Sequence, residues 1–82
     1  MSGERFWRVR PGPALFRDDY VRVQLRERGL LGSVVVDEFM TRTANHATPA
    51  DALKYAQKVI TERQARDEAV RALYGDHPLK GA

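Results

Sequence analysis

The chain contains no cysteine, one tryptophan and only three lysines among its 82 residues. Without cysteine there is no disulfide staple and no thiolate metal site. A domain of this size buries only about 60–65 % of the surface its unfolded form exposes. It must therefore draw its stability from a compact apolar core or from association with a second copy. Long apolar runs are also missing. None approaches the roughly 20 residues needed to span a bilayer, and the opening "MSGERFWRVRPGP" puts arginines where a secretory signal needs an apolar stretch. These absences lead to the expectation of a soluble, cytoplasmic protein with no membrane contact.

Catalytic signatures are absent too. The sequence has no G-x-S-x-G, no phosphate-binding loop, no H-E-x-x-H and no dinucleotide fingerprint. Its two histidines, His46 and His77, flank opposite ends of the long helix expected between them, too far apart to share a metal within one chain. The adjacent acids Asp37 and Glu38 fall in an extended segment, where neighbours point to opposite faces and cannot converge on one ion. The expectation is a protein that is not an enzyme, with no cofactor and no metal site.

What is present is arginine, and it is unevenly placed. Residues 1–32 hold seven arginines against four acids, whereas residues 33–82 hold seven basic and seven acidic side chains. The formal charge of +3 therefore resides in the first part of the chain. A local excess of this kind favours polyanions or an acidic partner, and arginine suits bidentate and stacking contacts better than lysine does.

The pattern predicts an α+β fold in a single small domain, 1–82: three strands within 5–42, a long helix over about 49–74 and a loose tail over 75–82. In "RFWRVR" and "YVRVQLRE" apolar and polar residues alternate, as in half-buried strands. "SVVVDEFMT" carries three consecutive valines, which suit a pleated strand better than a helix. The segment "DDYVRVQLRERG" also admits a short helix, capped by Asp18 or Asp19 and stopped by Gly29. The last element opens with Thr48 as N-cap, Pro49 at the first helical position and Asp51 completing a variant capping box. Gly75 and Pro78 mark its end. Leu53, Ala56, Val59, Ile60, Val70, Leu73 and Tyr74 share one arc of this helix, interrupted by Arg63, Arg66 and Asp67. Together these elements form a three-stranded antiparallel sheet with the helix packed across one face.

Two surfaces of that architecture are candidates for function. With Val21, Val23 and Leu25 facing the helix, Arg22, Gln24 and Arg26 face outward, and a neighbouring strand with Trp7 and Val9 inward adds Phe6, Arg8 and Arg10. Such a face suits nucleic acid or a protein partner, although half-exposed antiparallel sheets also need a polar outer side merely to stay wet. The second surface is the end of the helix. An eight-residue strand spans about 27 Å and a 26-residue helix about 39 Å, so Val70, Leu73 and Tyr74, with Arg63 and Arg66 beside them, are expected to overhang the sheet and meet a second copy. The third strand adds to this surplus, because any simple alternation that buries Val34 and Val36 exposes Val35 and Phe39. The leading functional expectation is thus a small interaction module that binds a protein partner and forms a homodimer. The alternative is nucleic-acid binding through the arginine face.

Overall fold

The computed structural model describes residues 3–15 and 18–78. It contains strands β1 (Arg5–Pro11), β2 (Tyr20–Gly29) and β3 (Gly32–Arg42), a short 3-10 turn at Thr43–Asn45, and helix α1 (Pro49–Arg71). The strands form one antiparallel sheet in the order β1-β2-β3, with β2 in the centre. The expected α+β order is therefore the observed one, and residues 20–29 are strand, not the alternative short helix. Two like faces explain the outcome. The alternation Val21, Val23, Leu25 matches the two-residue period of a strand, and it places those three side chains against the helix.

A two-residue turn, Leu30–Leu31, joins β2 to β3 between the paired glycines Gly29 and Gly32. Gly32 sits at φ 141°, a conformation that side-chain-bearing residues rarely adopt. At the same end of β2, a Cβ on Gly3 would lie 1.7 Å from the Arg28 carbonyl oxygen. Glycine there lets the chain approach closely enough for the Arg28 amide to donate to the Glu4 carbonyl at 2.9 Å.

The third strand resolves its own surplus of apolar residues with a bulge. Leu25 pairs with Asp37, but the next residue, Arg26, pairs with Val35, so Val36 is the extra residue. The bulge shifts the phase of the alternation. Val36 and Phe39, which a regular strand would send to opposite faces, both pack against the core. Val34 and Val35 stay exposed.

The core consists of Val23, Leu25, Ala56 and Ile60, with Val21, Val36, Phe39 and Leu53 packed around it. On the helix the fully buried residues are Ala52, Ala56 and Ile60, one per turn. The small side chains at 52 and 56 let the helix lie close to β2, and Ile60 fills the space where it needs a larger wedge. Ala52 belongs to this stripe although the arc expected from hydropathy left it out. Gln64, which lies outside that arc, donates to Asp37 Oδ2 at 3.2 Å. Burial of Ile60, Leu25 and Val23 contributes about 1.5–3 kcal/mol each.

Helix α1 begins as expected: Thr48 is the N-cap, its Oγ1 accepts from the Asp51 amide at 3.1 Å, and Pro49 occupies the first turn. It ends three residues earlier than expected. After Arg71 the chain tightens into turns in which the amides of Leu73 and Tyr74 donate to the carbonyls of Val70 and Arg71, and Gly75 then takes φ 103°. Glycine ends the helical path here, but tight turns occupy the last positions before it. The helix also overhangs for a different reason from the one expected. The strands are 10 and 11 residues long in β2 and β3, so length does not strand the helix. Rather, the helix parts from the sheet after Gln64, and every residue over 65–78 is exposed. The expected tail lies partly outside the described residues. Within 75–78, His77 Nε2 meets the Leu73 carbonyl at 2.8 Å.

Candidate functional site

No described element covers the face of the sheet turned away from α1. Strand register places six arginines on it: Arg8 and Arg10 from β1, Arg22, Arg26 and Arg28 from β2, and Arg42 from β3. Phe6, Gln24, Glu38, Met40 and Tyr20 share this face. All six outer-face candidates read from the sequence, Phe6, Arg8, Arg10, Arg22, Gln24 and Arg26, thus come together. Arg28, Arg42 and Tyr20 join them. Arg28 continues the alternation of β2 beyond the stretch singled out, so it was readable. Arg42 could be assigned only once the bulge at Val36 had set the phase of β3.

Hydrogen bonding divides these residues into two groups. Gln24 is only 8 % exposed. Its Nε2 donates to Glu38 Oε2 at 2.6 Å, and its Oε1 accepts from Arg26 Nη1 at 2.6 Å. Arg26 also donates from Nε to Ser33 Oγ at 2.8 Å and from Nη2 to the Ser33 carbonyl at 3.1 Å. Every nitrogen of its guanidinium is therefore used inside the chain. Arg26, Gln24 and Glu38 form a closed network that braces β2 against β3, so Arg26 and Gln24 are braces and not free ligand groups.

The remaining five guanidiniums make no ion pair or hydrogen bond among the described residues. Arg28 stands over the Phe6 ring at 4.5 Å from its centroid, with Arg8 at 5.4 Å, and Arg42 lies 5.7 Å from the Tyr20 ring centre. Arg10 and Arg22 are direct cross-strand partners. Opposed like charges on one sheet face are destabilising, and the Arg22 Nε is buried with no hydrogen-bond partner. A cluster of arginines held this way is a set of directional donors with no acceptor among the described residues. Phosphate and carboxylate oxygens are the acceptors that match a guanidinium fork.

The second candidate surface is less unified. Arg63 does not serve the overhang, and it does not pair with Asp67 four residues on. It turns back to the sheet, forming an ion pair with Asp37 at 3.0 Å, donating to the Glu38 carbonyl at 2.8 Å and standing 5.6 Å from the Phe39 ring centre. Arg66, Val70 and Tyr74, with Asp67 and Arg71, line an open depression on the overhang. Leu73 is exposed beside them. The inner side of β1 is also only partly covered, since Trp7 and Val9 are 38 % and 51 % exposed.

Of the histidines, His46 is a structural contact. Its Nε2 lies 3.0 Å from Thr41 Oγ1 and its ring packs against Tyr55. No group of three or more metal-ligating side chains occurs among the described residues, and no described helix is long and apolar enough to cross a membrane. Compared with family models, with curated proteins and with solved structures, the chain finds no match in any of the three.

Proposed function

We propose that the chain is a nucleic-acid-binding module whose outer sheet face receives the polyanion. One observation carries this reading: five arginines on one open face lack acceptors among the described residues, and two of them, Arg10 and Arg22, stand directly opposite each other. A fold that merely needed a wet outer face would alternate signs there, or use uncharged polar residues, at lower electrostatic cost. Phosphate oxygens relieve the repulsion by supplying charge-assisted acceptors. This reverses the order of the two readings drawn from the sequence, because Arg28 and Arg42 enlarge the cationic face while Arg63 leaves the overhang.

Binding of this kind is salt-dependent, since each neutralised phosphate releases counterions. A mobility-shift experiment with a DNA duplex and its separated strands tests it. Retardation of either form at about 50 mM salt that disappears near 200 mM supports the reading; no retardation of duplex or single strands at the lower salt refutes it.

Self-association is the second reading, and the exposed Val70, Leu73 and Tyr74 at the end of α1 favour it. Apolar side chains in a row, flanked by Arg66 and Arg71, have the composition of a contact surface. A protein partner or a second copy would cover them. The two readings use opposite parts of the molecule and are compatible.

A further inference from the structure

We infer that the nucleic acid is double-stranded DNA in the B form, received with the outer face of the sheet in its major groove; this rests on the nucleic-acid reading above. Sheet surfaces that hold single strands do so by stacking unpaired bases on open aromatic rings. Among the described residues this face has two rings, and a guanidinium stands against each. Arg28 and Arg8 lie over Phe6, at 4.5 and 5.4 Å from its centre, and Arg42 lies beside Tyr20. What the face does offer is forked donors, and the commonest specific partner of an arginine fork on duplex DNA is the O6/N7 edge of guanine in the major groove.

Dimensions agree with that placement. Three strands set about 4.8 Å apart put the axes of β1 and β3 about 10 Å from each other, so the central strand enters a B-form major groove about 12 Å wide while the edge strands lie at its rims. The major groove of A-form RNA is deep and narrow and excludes such an element. The strand order also sorts the cations. Arg8 and Arg10 lie on one edge strand and Arg42 on the other, whereas Arg22 lies on the central strand. Edge-strand arginines face the two phosphate backbones that border the groove, and Arg22 faces its floor. The Arg26–Gln24–Glu38 network holds the middle of the sheet rigid beneath them.

Fluorescence anisotropy of the full chain tests this, with one labelled sequence offered as DNA duplex, as each separated DNA strand and as RNA duplex at about 50 mM salt. The expected result is DNA-duplex binding at least about tenfold tighter than binding to either strand or to the RNA duplex. Phe6→Leu, which keeps the apolar bulk but removes the ring beneath Arg8 and Arg28, should lower duplex affinity by less than about tenfold. Binding of a single strand as tightly as the duplex, lost about tenfold or more in Phe6→Leu, overturns the duplex assignment while leaving the nucleic-acid reading in place. Equal or tighter binding of the RNA duplex overturns the major-groove placement. Failure to bind any of the four refutes the underlying reading as well.

Discussion

Arg10 and Arg22 face each other across the β1–β2 ladder on the open side of the sheet, and neither guanidinium has an acceptor among the described residues. Directly opposed like charges cost folding free energy, and so does the buried, unpartnered Arg22 Nε. The pair therefore lowers the stability of the free chain in a position that suits a bound anion. Replacing one member should relieve that cost. Arg10→Thr, which suits a strand, is expected to stabilise the fold by about 0.2–1 kcal/mol, raising the melting temperature by about 1–8 °C, while weakening nucleic-acid binding. Differential scanning calorimetry checks the first part. A drop in melting temperature would show that Arg10 supports the fold.

Arg26 should behave in the opposite way. Its guanidinium bonds to Gln24 and Ser33 through every nitrogen, so Arg26→Ala leaves Gln24 short of a partner at a position only 8 % exposed. A loss of about 1–3 kcal/mol in urea unfolding is expected. Arg22→Ala, four residues away on the same strand, is expected to change stability by less than about 0.5 kcal/mol or to raise it. Equal losses in the two variants would contradict the division of the face into braces and free donors.

Much of this division could not be read in the sequence. The strands, the helix start and the inward set Val21, Val23 and Leu25 were legible, because alternation at period two and a Thr-Pro helix start are local signals. The outward placement of Arg8, Arg10, Arg22 and Arg26 followed from the same alternation. The bulge at Val36 was not legible, since three adjacent valines satisfy either phase of β3, and without it Glu38 and Arg42 could not be assigned to a face. Nor does hydropathy distinguish Arg26, saturated by Ser33 and Gln24, from Arg22, which has no partner. The helix stripe was misjudged for a related reason: Ala52 scores weakly as an apolar residue, yet it is buried because the helix approaches the sheet closely there.

The narrow stripe of α1 predicts a sharp response to core changes. Ile60→Ala should cost about 2–5 kcal/mol by opening a cavity. Ala56→Leu should cost about 1–3 kcal/mol by forcing the helix off the sheet. In a chain of this length those losses are a large part of the total stability. Urea denaturation monitored at the single tryptophan, Trp7, measures both, and a neutral Ala56→Leu would contradict the close helix–sheet contact.

Arg63 ties the helix to β3 through Asp37, the Glu38 carbonyl and the Phe39 ring. Arg63→Ala should therefore destabilise the fold by about 1–2 kcal/mol, more than an isolated surface ion pair would explain. Leu73→Asp touches none of these contacts. It should leave the monomer fold intact and reduce self-association, read by sedimentation equilibrium at about 100 μM. A wild-type chain that sediments as a monomer at that concentration removes the second reading.

The central claim is that the unpaired outer-face arginines bind phosphates, and the salt dependence of binding in paired variants tests it most directly. If the four free guanidiniums other than Arg22, those of Arg8, Arg10, Arg28 and Arg42, each neutralise one phosphate while Arg22 faces the groove floor, log K falls with log salt at a slope of about −3.6, an approximately 150-fold loss between about 50 and 200 mM. Removing Arg10 and Arg22 together, as the serine pair, should reduce the slope to about −2.7 and the loss to about 40-fold, with the fold retained by circular dichroism. An unchanged slope in the double variant would contradict the account, because the affinity would then come from charges elsewhere on the chain.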